Sequence, residues 1–521
     1  MLTTRRLPVG VQDFEDLRTT NYLYVDKTEY IYRLINRGKP YFLGRPRRFG
    51  KSLLLSTLKA YFLGKKELFE GLAIAEPEKD WIEYPVFHID MNVGIITDDA
   101  SLKGRLDVVL TDFENKWGRT VNNDDPATRF EKVIQQAYSQ TGKKVVVLID
   151  EYDKPLLNTM DDITINDKIR DSLNGFYGVL KSADASLRFV FLTGVTKFSK
   201  VSVFSDLNHL DDISMDERFA GICGISETEL ARYFEPELQA LAEKRGITRD
   251  EAFAEMKKLY DGYHFAKECE DMYNPFSVLN TFAKRDFAYY WFQTGTPTFL
   301  IKMLKEGNVD ITDLENNIYI SAASITDYRT EWNNPVPVLY QSGYLTIKRY
   351  DSAFDEYVLG YPNEEVKYGF INELLPIYAP QWVNSQNFSA SRFVKCLLKD
   401  DVEEFMTSIR AFFASIPYDL SDRTERYYQL VFYLIFTLMG QFIRTEVKGA
   451  RGRADAVVET ADTIYVFEFK MEENASAEKA LEQIDNKGYL IPYTADGRKL
   501  VKVGAEFSAE ERILSRWIVK S

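Results

Sequence analysis

Arg45-Pro46-Arg47-Arg48-Phe49-Gly50-Lys51-Ser52 is the stretch that decides the fold. The apolar run Tyr41-Phe42-Leu43-Gly44 leads into it, and Leu53-Leu54-Leu55-Ser56-Thr57-Leu58 follows as a buried helix. A strand, a tight loop, Gly-Lys-Ser and a helix form the layout of a phosphate-binding P-loop. Successive backbone N–H groups and a helix N-terminus make a concave anion site. Lys51 is placed to reach the β- and γ-phosphates of ATP, and the Ser52 hydroxyl to hold Mg²⁺. The spacing departs from G-x-x-x-x-G-K-[ST]. Arg45 stands where the first glycine belongs, Gly44 comes one residue early, and Pro46 removes one N–H from the cradle. Gly-Lys-Ser alone reads equally well as an ordinary helix start.

A second motif lies a hundred residues on, in Val145-Val146-Val147-Leu148-Ile149-Asp150-Glu151-Tyr152-Asp153. A continuous apolar run indicates a strand buried on both faces, as in a parallel sheet. Carboxylates at its C-terminal end lie where open α/β sheets bind ligands. This is the form of a Walker B element. Asp150 would hold Mg²⁺ through water, and Glu151 would orient or deprotonate the attacking water. Another strand, 188–192, ends in Thr193-Gly194-Val195-Thr196-Lys197. Thr193 or Thr196 would contact the γ-phosphate or the water; Thr193 is preferred. Helices are expected over 27–35, 100–117 and 126–140, with a strand at 86–90 in which His88 reads as a packed core residue. Alternating strands and helices predict a right-handed, mostly parallel sheet with helices on both faces.

Composition sets the bounds. The chain has 521 residues, enough for two to four domains. Its 45% hydrophobic content supports packed cores. A net charge of −14 argues against a protein that coats nucleic acid non-specifically, though not against a local basic groove. Cys223, Cys269 and Cys396 are far apart, with no C-x-x-C, which disfavours a zinc site and points to a reducing cytoplasm. No apolar signal segment follows Met1. The lipid-like stretch 430–439 is shorter than the roughly 20 residues that span a bilayer, so a core helix and no membrane association are expected.

Leu7-Pro8-Val9-Gly10 with Phe14, Tyr24-Val25-Asp26-Lys27-Thr28, the Arg45–Ser52 string and Asp150-Glu151-Tyr152-Asp153 resemble the bacterial AAA-ATPase-like family, which typically carries a C-terminal PD-(D/E)XK nuclease-like domain. The resemblance covers most of the chain. It implies that the arginine-rich loop is the family's own P-loop variant. Arg47 and Arg48 flank the phosphate site and would add charge-assisted contacts to the γ-phosphate; a solvated basic loop is the alternative. Arg218 is a candidate arginine finger for a neighbouring subunit, should the chain form an oligomer.

Beyond residue 220 the chain reads as helices to about 260, opening with a capping box in which Ser226 is the N-cap and Glu229 stands three residues on. They resemble a lid on the nucleotide domain. The aromatic segments 273–277 and 289–297 read as a packed joint rather than as base-stacking platforms. A linker is expected within 305–335. A short helix from 336 and a hairpin over 344–350 and 356–363 suggest a winged-helix-like unit, with helices filling 364–416.

The second chemical site lies in Arg453-Ala454-Asp455-Ala456-Val457-Val458 and Thr463-Ile464-Tyr465-Val466-Phe467-Glu468-Phe469-Lys470. Glu468 and Lys470 point to one face of a central strand, where charges are costly unless they serve a metal or each other. Asp455 on the neighbouring strand completes a carboxylate pair that would bind Mg²⁺ and activate water, with Lys470 steadying the phosphate. This is the Asp-(x)n-Glu-x-Lys signature, with Ala454 in place of the proline. The resemblance makes Gln483 and Tyr489 site neighbours. Glu446 or Glu425 is an extra candidate ligand.

The expected domains are a P-loop ATPase core (1–220), a helical lid (221–305), a middle helical or winged-helix-like region (306–420) and a nuclease-like α/β domain (421–521). The expected function is ATP binding and hydrolysis coupled to metal-dependent cleavage of DNA phosphodiesters, with RNA left open as substrate. The alternative is a nucleotide-dependent regulatory switch whose nuclease fold only binds nucleic acid or a partner.

Overall fold

The computed structural model describes residues 6–38, 40–122, 124–197, 210–294, 300, 304, 311–315, 318–325, 334–380, 382, 388–416, 425–447, 455–471, 476–508, 510–511 and 513–521. The chain divides into two compact units, Met1–Val309 with Glu315–Val366, and Asp310–Leu314 with Lys367–Ser521. The sequence leads one to expect four domains. The lid region lies wholly in the first unit, and the expected middle region, 306–420, is shared between the two.

The first unit is built on five strands: β1 (Pro40–Gly44), β2 (Val86–Asp90), β3 (Val145–Asp150), β4 (Leu187–Gly194) and β5 (Asp211–Asp212). Their order is β2-β3-β4-β1-β5, and every pairing is parallel. All six residues of β3 are buried, which explains its unbroken apolar run. The helices Lys51–Phe62 and Pro126–Thr141 pack against it. His88 lies on the edge strand β2, partly buried, and burial lowers its pKa below the usual range. In a parallel sheet all strands finish on one edge, so the residues after β1, β3 and β4 meet there.

The helices Glu227–Tyr233, Glu235–Arg245 and Arg249–Tyr260 follow, the first opened by the expected Ser226–Glu229 capping box. A short pair, β6 (Ile225–Ser226) and β7 (Met272–Tyr273), joins the two ends of this segment. Tyr273, Tyr290 and Trp291 are buried, as a packed joint requires.

The expected linker holds β8 (Ile318–Ser321), which pairs with the hairpin of β9 (Thr346–Asp351) and β10 (Glu356–Gly360) in an antiparallel sheet. Four residues of alternating burial are too short a signal to stand out among polar neighbours.

The second unit is a mixed sheet of β11 (Arg444–Val447), β12 (Ala456–Glu459), β13 (Thr463–Met471), β14 (Lys499–Ser508) and β15 (Ile513–Lys520), in that order. β13 is central, parallel to β14 and antiparallel to β12. The helices Val402–Ala414 and Glu425–Met439 cover it with aromatic rings: Phe405 and Phe436 meet Phe467, and Phe432 lies 3.7 Å from Phe469 between ring centroids. The apolar stretch 430–439 is a core helix as expected. Among the described residues no helix is long and apolar enough to cross a membrane.

Candidate active sites

The P-loop is anchored before it can bind anything. Gly44 N donates to Ser214 Oγ at 2.8 Å. Arg45 is 1% exposed. Its guanidinium donates to the carbonyl oxygens of Gly44 (2.9 Å), Ser214 (2.7 Å), Phe219 (3.3 Å) and Ala220 (3.3 Å), and it stacks 4.1 Å from the Phe265 ring centroid. The residue that breaks the glycine spacing therefore builds the loop from inside. Pro46 is met by Gly343, where an added Cβ would lie 2.7 Å from the proline Cβ. Phe49 is buried against Tyr263 and Phe265.

Gly50 caps the Lys51–Phe62 helix with φ 92°, a left-handed conformation that glycine adopts without strain. Among the described residues no side chain caps this helix. Its first N–H groups thus retain the character of an anion site. Lys51 is 5% exposed and donates to Arg45 O at 2.9 Å and Pro46 O at 3.0 Å. Burial lowers its pKa, and the carboxylates of Glu151, Asp150 and Asp153 act in the opposite direction. Ser52, the next residue, is half-buried.

Asp150, 6% exposed at the end of β3, accepts from Thr193 Oγ1 at 2.6 Å and from Glu151 N at 3.1 Å. Glu151 has φ 50°, a conformation that costs a non-glycine residue on the order of 1 kcal/mol and is characteristic of functional sites. Burial raises its carboxyl above the usual range, with the Lys51 charge opposing. Gly50, Lys51, Ser52, Asp150, Glu151 and Thr193 thus come together at one sheet edge. Thr196 serves the turn instead, since its N–H and hydroxyl donate to Asp153 Oδ2 at 2.6 and 2.8 Å. Arg48 is exposed and stacks 3.9 Å over Phe276. Arg47 is half-buried, and its carbonyl accepts from Trp291 Nε1 at 3.3 Å. Arg218 pairs with Asp216 of its own turn.

In the second unit Ala456 faces Phe467 across the antiparallel β12–β13 pair, so one step back sets Asp455 opposite Glu468. Directly opposed side chains share a face with Cβ atoms about 5 Å apart. The Asp455 N–H donates to the Glu468 carboxylate, and Asp455 Oδ2 accepts from Phe469 N at 2.8 Å. Glu468 is 1% exposed. Its Oε1 accepts from Lys470 Nζ at 2.7 Å and from Gln483 Nε2. Gln483 also donates to Tyr489 Oη at 3.3 Å. Among the described residues the buried Glu468 Oε2 has no hydrogen-bond partner. Burial raises the Glu468 carboxyl, opposed chiefly by Lys470.

A buried carboxylate oxygen without a donor is costly, and a divalent cation held between it and Asp455 would satisfy it. Hard oxygen donors suit Mg²⁺ or Mn²⁺. Among the described residues no set of three or more His, Cys, Asp or Glu is placed to hold a metal ion. The basic turn 448–454, with Arg453, and the side chains of Glu425 and Glu446 lie outside the described residues.

Residues 8–204 match the family model described as a predicted AAA-ATPase, and residues 423–517 match the PD-(D/E)XK nuclease superfamily. An Azotobacter chroococcum mcd 1 protein, described as an uncharacterized protein in the vnfD 5' region, is 40% identical over 533 residues, covering 100% of both chains. The chain belongs to the predicted AAA-ATPase family. Its C-terminal unit belongs to the PD-(D/E)XK nuclease superfamily.

Two parts of this AAA-ATPase-like protein's sites escape sequence reasoning. Asp153 is buried, with Oδ2 accepting from Val195 N at 2.9 Å as well as from Thr196, and so fixes the turn after β4. Nothing in an acidic strand-end cluster says which acid turns inward. Gly504 on β14 is the other: a Cβ there would lie 2.4 Å from Ala477 O. Its absence lets the helix Ala477–Asn486 lie close enough for Gln483 to reach Glu468.

Proposed function

We propose that the chain binds and hydrolyses ATP in its first unit and cleaves DNA phosphodiesters with a divalent metal in its second. One observation, repeated in both units, carries the reading: a lysine set beside two carboxylates, Lys51 beside Asp150 and Glu151 and Lys470 beside Glu468 with Asp455 opposite. In the first unit the Lys51 ammonium exchanges the carbonyls of Arg45 and Pro46 for phosphate oxygens. Ser52 and Asp150 are the residues that would hold Mg²⁺, and the Thr193 hydroxyl keeps Asp150 in one orientation. Glu151, with its raised proton affinity, orients the attacking water and accepts its proton. In the second unit Asp455 and Glu468 would hold the metal, Gln483 fixes the Glu468 carboxylate, and Lys470 steadies charge on the phosphate. When bound, a divalent cation supplies an activated water and neutralises the developing charge.

ATPase and nuclease assays of wild type beside Lys51→Ala and Lys470→Ala test both halves. Lys51→Ala is expected to abolish ATP binding, and Lys470→Ala to abolish cutting while leaving ATP binding intact. Wild type that cuts neither DNA nor RNA with Mg²⁺ or Mn²⁺ and ATP overturns the nuclease half. ATP affinity unchanged in Lys51→Ala overturns the other.

A further inference from the structure

Arg48 stands in the P-loop in a conformation that its side chain resists. Its φ is 63°, in the left-handed region, where the Cβ of an L residue crowds the following carbonyl oxygen. Such strain persists only where the surroundings over-determine it. Two side chains from far along the chain act on this residue. Trp291, which is buried, donates its indole N–H to Arg47 O at 3.3 Å. The Phe276 ring lies under the Arg48 guanidinium, 3.9 Å from its centroid. Both holders are themselves fixed. Asn274 caps the helix Pro275–Lys284, its Oδ1 accepting from Phe276 N at 3.0 Å and Ser277 N at 3.2 Å, so Phe276 stands in the first turn. Glu365 then ties the two segments together, accepting from Ser277 Oγ at 2.7 Å and from Trp291 N at 2.9 Å. The Trp291 indole meets Tyr344 edge-on at 5.1 Å between ring centroids, and the neighbouring Gly343 meets Pro46.

We infer that Trp291 and Phe276 are positioning residues for the phosphate site, holding Arg48 left-handed so that its N–H joins the phosphate cradle. The inference rests on the reading of the first unit as an ATP site. Each residue acts through the loop, the indole on the Arg47 carbonyl and the ring on the Arg48 guanidinium. A trans peptide is planar, with its N–H opposed to its C=O. Fixing Arg47 O on Trp291 therefore fixes the direction of the Arg48 N–H. Successive N–H groups held in turn conformations are what make an anion cradle. Asp150 and Thr193 lie on β3 and β4, and Glu151 directly follows β3, all outside this clamp. The hold thus bears on ATP binding rather than on the chemical step. Arg48→Gly removes the need for it, because glycine enters the left-handed region as readily as the right-handed.

A double-mutant cycle on the full chain tests this, with the Kd for Mg²⁺–ATP read by calorimetry and Km and kcat by steady-state ATPase kinetics. Trp291→Phe keeps an aromatic ring and removes the N–H. It is expected to raise Kd and Km about fivefold, the effect of one hydrogen bond, with kcat within about twofold of wild type. In the Arg48→Gly background the same change is expected to cost less than about twofold, because the two positions are coupled through the strained residue. A Trp291 that only fills space costs the same in both backgrounds. Phe276→Leu is expected to follow the same pattern and decides the matter if Trp291→Phe does not fold. An equal loss in both backgrounds, or no loss in the wild-type background, overturns the inference while leaving the ATP reading intact. Wild type that binds no ATP overturns that reading and this inference with it.

Discussion

Asp455 and Glu468 hold each other across neighbouring strands, the Asp455 N–H donating to the Glu468 carboxylate while Asp455 Oδ2 takes the N–H of Phe469. The acids are thus fixed before any cation arrives, with Glu468 Oε2 left for it. Millimolar Mn²⁺ is expected to raise the melting temperature of the second unit, because a ligand at about 100 times its Kd stabilises by about 2.7 kcal/mol. Glu468→Gln should abolish that shift and lower metal-dependent cutting at least about a hundredfold, about 2.7 kcal/mol of transition-state stabilisation. Calorimetry with and without Mn²⁺ reads the first, and cleavage of labelled DNA the second. An undiminished Mn²⁺ shift in the variant would remove Glu468 from the donor set.

Gly504 tests how the helix above the site is seated. A methyl at this position meets Ala477 O at 2.4 Å and Leu481 Cγ at 2.8 Å. The first obstacle is backbone, so the helix must move as a body. Gly504→Ala is expected to cost about 1–3 kcal/mol, the usual range for overpacking. It should weaken the Gln483–Glu468 bond and cutting with it, while ATP turnover in the first unit stays as in wild type. Urea unfolding and the two activity assays, run side by side, distinguish this from general misfolding.

How far these sites were legible in the sequence follows from how local each signal is. β3 is written in five consecutive apolar residues ending in Asp150, and the capping box at Ser226 and Glu229 in a four-residue pattern. Strand alternation and one antiparallel turn set Asp455 opposite Glu468. The roles of Arg45, Asp153 and Gly504 were not legible. Each depends on a partner far along the chain: Phe219 and Ala220, Thr196, and Ala477. Arg48 shows the limit of motif reasoning. Its place beside Lys51 pointed to a phosphate contact, yet its guanidinium lies over Phe276, more than two hundred residues away in sequence.

Arg45 is the residue to substitute if the loop's departure from glycine spacing is structural. Its four carbonyl contacts use the fork of the guanidinium, and its flat face lies on Phe265. A lysine keeps the charge but has no planar fork and stacks poorly. Arg45→Lys is expected to destabilise the first unit by about 2–4 kcal/mol, the range for breaking a buried charged network. It should raise the Km for ATP more than it lowers kcat, because the loop shifts while Glu151 and Thr193 stay on their own strands. Chemical denaturation and steady-state ATPase kinetics check both. Unchanged stability would show that the buried contacts are dispensable.

Glu365 gives the first unit a pH dependence. It is fully buried, with Oε2 accepting from Ser277 Oγ at 2.7 Å and Oε1 from Trp291 N at 2.9 Å. Burial raises its carboxyl to about 7, with the Trp291 N–H, the Ser277 hydroxyl and the Tyr290 N–H opposing. An unfolded glutamate titrates at ~4.3. The folded state therefore binds this proton more tightly. The stabilisation is fully present below ~4.3 and is lost as pH rises through about 7. Between pH 5 and pH 8 wild type should lose roughly 2–3 kcal/mol more stability than Glu365→Gln, which cannot titrate. Unfolding free energies of both proteins across that range make the comparison, and the difference between them cancels the contributions of the other carboxylates. Parallel curves would mean that Glu365 keeps its ordinary proton affinity inside the fold.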